Sequence, residues 1–344
     1  MEKALIAHTV PELDELERLI ALAGAHAQVR VAARLGAVPH QTLPLYTVAL
    51  GNPEAVSAVG FFGGVHGLER IGSNVVMAWL HSVVMRLPWD SSLHALLERV
   101  RLVFMPIVNP GGMLRGTRAN PNGVDLMRNA PVDAQDGVPF LVGGQRISAG
   151  LPWYRGARGD AMEAESAALC DLVERELLGR PFSLALDCHS GFGLRDRIWF
   201  PFAHRRGPIH HLGQLNALHE IFQQSNHHHP YVFEPQSRQY LAHGDLWDHL
   251  YLRACLQPPS VFLPLTLEMG SWLWVKKNPR QLFSRDGIFN PLIAHRQQRV
   301  LRRHFPLLDF VTRAAASSQA WLPQGSAAGE QRQRGMAKWY GATP

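Results

Sequence analysis

Along this chain, short unbroken apolar runs alternate with longer stretches in which apolar positions recur every three or four residues. These are the signatures of buried strands and amphipathic helices. Residues 9–24 predict a helix. Thr9 with Glu12 forms a capping box, Pro11 falls in the first turn, Gly24 closes it, and Leu13, Leu16, Leu19 and Ile20 line one face. Residues 43–50 (LPLYTVAL) read as a strand, and Gly51-Asn52-Pro53 turns the chain into a second at 58–62. That run breaks at Gly63-Gly64, crosses a loop, and becomes helical from Ile71 until Pro88 stops it.

The alternation continues. Residues 101–108 predict a strand ending in the turn 109–112, followed by a polar Gly/Pro/Asn-rich segment, 116–129, and an irregular stretch, 130–158. Asp160 and Glu163 open a helix through Leu178, and 183–188 is a strand that delivers His189 at its end. Residues 201–244 read as loop-rich and histidine-rich, and the run His227-His228-His229 reads as a solvated loop in preference to a weak metal site. A strand at 261–269 and a helix at about 290–314 follow; the remainder lacks a sustained period and reads as a flexible tail. Strands alternating with helices predict an α/β fold with its sheet covered on both faces. The expected division is a helical segment at 1–35, a catalytic domain at 36–312 and the tail at 313–344.

Composition narrows the class. An apolar content of 46% suffices for one large core, and no run reaches the length needed to span a bilayer. The N-terminus turns acidic before any signal-peptide core develops, and three scattered cysteines suit a reducing compartment, so a soluble cytoplasmic protein is expected. The net charge of +6 is spread as pairs and single residues without a nucleic-acid-binding signature. It suits anionic small substrates, with neither nucleic acid nor membrane expected as a partner. The sequence leaves the oligomeric state open.

Candidate chemistry gathers at strand ends. His66 and Glu69, three residues apart on the loop after 58–62, offer an imidazole nitrogen and a carboxylate oxygen, a pair that suits zinc; no other histidine has a Glu at +3. His189 ends another strand, and in α/β sheets sites form at the carboxyl ends of strands. Glu268 is the only charge in an apolar strand, where burying it is costly; a buried ion pair is the alternative reading there.

Taken in order, HGLE at 66–69, NPGG and TRANPNGVDLMRN at 109–129, DCHSG at 187–191, YLAHGDLWD at 240–248 and LTLEMG at 265–270 resemble the zinc carboxypeptidase family, the carboxypeptidase A-like metallopeptidases, over about residues 40–290. The resemblance implies a single domain with a mixed central sheet. It also implies one zinc ion held by His66, Glu69 and His189, with Asp125 accepting a hydrogen bond from His66. Glu268 would be the general base and Arg118 the group that stabilises the oxyanion. Arg128, with Asn129 beside it, would grip the substrate carboxylate, Tyr240 would close over it, and Trp247 would floor the side-chain pocket, made polar by His243 and Asp245. The chain departs from the family at Met127, where an Asn donor is usual.

The implied activity is hydrolysis of an amide bond next to a carboxylate in a small peptide. An N-acyl-amino-acid deacylase resembling aspartoacylase is the alternative, and a silent metal-binding protein of the same fold the second.

Overall fold

The computed structural model describes residues 10–38, 41–191, 193–229 and 231–341. Thr9, and with it the proposed capping box, lies outside them; within them the first helix runs Pro11–Ala23, buries Leu13, Leu16 and Leu19, and ends at Gly24.

Eight strands form one mixed sheet: β1 (Ala27–Val38), β2 (Gln41–Leu50), β3 (Ser57–Gly63), β4 (Val100–Met105), β5 (Phe182–Gly191), β6 (Arg197–Phe200), β7 (Val232–Pro235) and β8 (Val261–Gly270). Their spatial order is β1-β2-β4-β3-β5-β8-β6-β7, with β4, β3, β5 and β8 mutually parallel at the centre. β3 and β4 are buried at every residue, as parallel strands covered on both faces must be. Helices Arg70–Arg86 and Ala294–Ala316 pack on each other and against β3 and β5, while Ala164–Glu176 packs on Leu246–Ala254. The chain leaves β3 for β4 on one side and returns to β5 on the other. The carboxyl ends of β3 and β5 therefore flank a topological switch point, where a crevice opens in such sheets.

Three elements differ from the expectation. β1 extends across the anticipated break at residue 35, pairing along β2 in an antiparallel ladder. It is an edge strand with most side chains in solvent, so its sequence carries little apolar pattern. Within the expected loop at 201–244 lies the helix Leu212–Ser225, which buries Leu212, Leu215, Leu218 and Phe222. That spacing is helical, and the surrounding histidines obscured it.

The tail is also ordered. Helix Gly325–Trp339 lies against Leu212–Ser225, with Gln331 Nε2 donating to Glu220 (3.0 Å), Lys338 Nζ to Asn216 Oδ1 (3.1 Å) and the buried Trp339 indole to the Phe233 carbonyl (2.8 Å). Polar side chains and close backbone approach dock this helix, so no apolar stripe marked it. Gly213 shows the closeness: a Cβ there would meet the Ala328 carbonyl oxygen at 2.4 Å. Gly213→Ala should therefore destabilise the fold by about 1–3 kcal/mol in chemical denaturation. It should also expose the 325–339 segment to proteolysis; wild-type resistance would show that the helix docks by other contacts.

Candidate active site

β3 delivers His66 and Glu69 through a loop that requires glycine. Gly64 takes φ +64, and a Cβ on it would strike Ser73 Oγ at 2.4 Å. Asn109 secures the loop, its backbone N–H donating to Gly64 O (2.9 Å) and its side-chain amide to Val65 O (3.2 Å). The helix Arg70–Arg86 then begins directly after Glu69. On the neighbouring strands, His189 of β5 pairs in register with Glu268 of β8, and Glu268 with Arg197 of β6. Residues paired across strands share a face, so these three side chains form a row above the carboxyl end of the sheet.

The row meets the loop. One ligand atom from each of His66, Glu69 and His189 lies within 4.8 Å of the others, the one such cluster among the described residues, and all three are buried. Glu69 Oε2 is 3.1 Å from His189 Nδ1 and accepts the Ser190 N–H (3.0 Å), while Oε1 accepts from Arg118 Nη1 (3.2 Å). Burial alone would raise Glu69, but His66, His189 and Arg118 outweigh it and lower its pKa. Burial, then Arg118, lowers His66 well below the ordinary histidine range, keeping it a neutral donor. His66 Nδ1 is buried without a hydrogen-bond partner. An orphaned imidazole nitrogen, a carboxylate and a second imidazole form a donor set that fits one divalent cation and suits zinc. Glu268 stands beside them, half-buried, its carboxyl pushed up to about 8 by desolvation and then by Glu69.

These groups line one cavity of roughly 360 Å³, together with Arg118, Met127, Arg128 and Tyr240. Arg118 is fastened to Asp125 Oδ2 (2.9 Å) and Glu69; burial works against its charge, but the two carboxylates prevail and raise its pKa. Arg128 is 2% exposed and donates to the carbonyls of Val142 and Met127 and to the Tyr240 hydroxyl (3.4 Å), with its guanidinium over the tyrosine ring. Among the described residues it forms no salt bridge. Trp153, at φ +60, lines the same cavity in a backbone conformation that is costly for a large side chain.

Five expected positions resolve differently. Asp125 Oδ1 is 3.7 Å from His66 Nδ1, beyond hydrogen-bond range, because that oxygen caps the turn at Met127 N–H (3.1 Å). Asn129 faces away from the cavity, its amide donating to Arg155 O (3.1 Å) and its oxygen accepting from Glu163 N–H (2.7 Å). His243 Nδ1 accepts the Ala134 N–H, and Asp245 caps the helix Leu246–Ala254, so neither makes the pocket polar. Trp247 is no pocket floor. It is buried beneath the site, edge-on to Phe62 at 5.0 Å, with its indole Nε1 donating to Asp187 Oδ2 (2.9 Å).

A sequence model described as zinc carboxypeptidase matches residues 39–261, well over half the chain. The chain belongs to the zinc carboxypeptidase family. The match stops short of Glu268, which stands on the register of β8 against β5. Among relatives, carboxypeptidase SOL1 of Arabidopsis thaliana is 32% identical over 92 residues, 26% of this chain and 19% of that protein. The chain thus aligns with about a fifth of that relative's length. Among solved structures, thrombin activatable fibrinolysis inhibitor superposes with a TM-score of 0.62 at 17% identity, covering 89% of this chain and 74% of the other. The carboxypeptidase A of Helicoverpa armigera gives 0.59 at 17%, covering 91% and 74%. At these identities the superpositions establish the shared fold.

Within that fold, Asp187 is the residue the sequence reading missed. It lies two positions before His189 on β5, on the same face, and its Oδ2 is 2.7 Å from His189 Nε2. Burial would lower His189, but Asp187 first and then Glu69 raise its pKa well above the ordinary range. With Nε2 held by Asp187 and backed by Trp247, Nδ1 is the nitrogen turned toward Glu69. Asp187→Asn should weaken zinc binding by about 10–100-fold in chelator competition. Trp247→Phe, which keeps the ring and loses the N–H, should weaken it less. Wild-type affinity in both variants would reduce the pair to packing.

Proposed function

We propose that this family member is a zinc-dependent hydrolase that cleaves an amide bond adjacent to a carboxylate, acting on a small peptide. The observation that carries the reading is Arg128, a buried guanidinium that forms no salt bridge among the described residues, opening into the cavity that holds the His66, Glu69 and His189 cluster and Glu268. The Asp245 carboxyl that acts on it electrostatically is itself pushed up to about 7 by burial and then by Asp248, which leaves the guanidinium able to take an incoming anion, and a planar fork suits a carboxylate. His66, Glu69 and His189 would hold the zinc, which would supply Lewis acidity toward a water molecule and the scissile carbonyl.

Glu268 is placed to take a proton from the attacking water and return it to the departing amine; its raised pKa suits both transfers. Arg118, held in place by Asp125 and Glu69, presents positive charge for the oxygen on which negative charge develops. Tyr240, already against Arg128, covers the bound carboxylate. Met127 lines the cavity where the family usually places an Asn donor, which favours N-acyl-amino-acid deacylation as the second reading. No described helix is long and apolar enough to cross a membrane. Three unpaired cysteines support a cytoplasmic setting.

Glu268→Gln should retain zinc and lose about 10²–10⁴-fold in turnover, whereas His66→Ala should lose the metal. Chelation should abolish activity, and added zinc should restore it. A panel of peptides and N-acyl amino acids separates the two readings. Turnover of neither class by the zinc-loaded protein, or full activity in Glu268→Gln, would overturn the mechanism.

A further inference from the structure

Beyond Glu268, away from His189, the cavity continues toward β6 and β7 as a polar recess. Two residue pairs below the row of Arg197, Glu268 and His189, and so on the same face, Trp199 of β6 pairs with Thr266 of β8, and both line the cavity. Thr266 and Gln236 are each 8% exposed, and neither side chain has a hydrogen-bond partner among the described residues. On the neighbouring β7, Glu234 gathers three donors on its Oε1, accepting from Arg197, from Gln239 Nε2 (2.9 Å) and from the Trp199 indole (3.4 Å). That network holds Arg197 and Trp199 rigid, and leaves the Thr266 hydroxyl and the Gln236 amide facing whatever enters. An apolar side chain there would strand both groups, at a loss of about tenfold or more in binding.

Charge points the same way. The cavity is lined by four arginines, Arg118, Arg128, Arg195 and Arg197, against the carboxylates of Glu69 and Glu268. Arg118 is matched by Asp125 and Glu69, and Arg197 by Glu234. Arg128 and Arg195 form no salt bridge among the described residues. Arg195 stands at the exposed rim, next to Gly270, whose own Cβ position would be 2.9 Å from the Arg195 backbone nitrogen. The recess also belongs to the side of the cavity that holds Arg128: Gln236 and Tyr240 sit on one short segment, Tyr240 N–H reaching Gln236 O (3.4 Å), and Tyr240 touches Arg128.

We infer that the residue whose carboxylate Arg128 holds carries a second anionic group, received by Arg195 at the rim with Gln236 and Thr266 hydrogen-bonding along its side chain. The substrates would then be peptides or acyl amino acids ending in a dicarboxylic residue. The inference rests on the hydrolase reading for the role of Arg128 and can fail separately from it.

The test pairs glutamate with glutamine, ligands of nearly equal shape that differ by one charge. Calorimetric titration of the zinc-loaded protein should show glutamate binding at least tenfold tighter than glutamine. Arg195→Gln should shrink that ratio severalfold, and Arg195→Glu should reverse it. In parallel, kcat/KM on peptides ending in Glu should exceed that on their Gln counterparts, with the same dependence on residue 195. Equal binding of the two ligands overturns the inference, and if peptides are still cleaved the hydrolase reading stands. A charge preference that survives Arg195→Glu also overturns it, by moving the subsite elsewhere. Tight glutamate binding without turnover of any substrate upholds the subsite and sinks the hydrolase reading.

Discussion

The Glu69 carboxylate is the constraint around which this site is arranged. A buried carboxylate is tolerated only when its charge is matched and its lone pairs are used. Glu69 is matched by Arg118 from the polar loop, by the His189 imidazole and the Ser190 N–H from β5, and by His66 from its own loop. Each partner comes from a different stretch of chain. The same compensation that makes the charge affordable brings two imidazoles and a carboxylate together, which is the donor set a divalent cation takes. Glu268, next to this cluster but outside its hydrogen bonds, bears the electrostatic consequence as a raised pKa.

The sheet supplies the precision. Registering β3, β5 and β8 in parallel sets the β3 loop, His189 and Glu268 side by side at a switch point, so the strand ladder fixes their spacing before any side chain is chosen. The support continues below the surface. Asp187 holds His189 from beneath and Trp247 holds Asp187, with Phe62 against the indole. Trp247, which the family resemblance implies as a pocket floor, therefore serves as a foundation. The turn into the helix Leu246–Ala254 tucks Trp247 under β5 and leaves the recess to Trp199, Thr266 and Gln236.

Much of this was legible in the chain. The central strands are unbroken apolar runs because both faces are covered, and their ends are marked by Gly63-Gly64, Asn109 and His189. The parts that escaped have polar or solvent-facing surfaces. β1 is an exposed edge, and the helix Gly325–Trp339 docks through Gln331, Lys338 and close backbone approach. Asp187 escaped although it had a signal, since residues two apart on a strand share a face.

By itself the sequence determined the alternation of strand and helix, the chemical identity of His66, Glu69, His189 and Glu268, and their placement at strand ends. Periodicity and residue type are local properties, readable without knowing the fold. Only the tertiary structure decided which charges have partners: that Arg118 is in salt bridges and Arg128 in none among the described residues, that Asn129 and Trp247 face away, and that Arg195, Gln236 and Thr266 line one cavity. Burial and pairing depend on which distant segments are pressed together, and linear spacing carries no record of that.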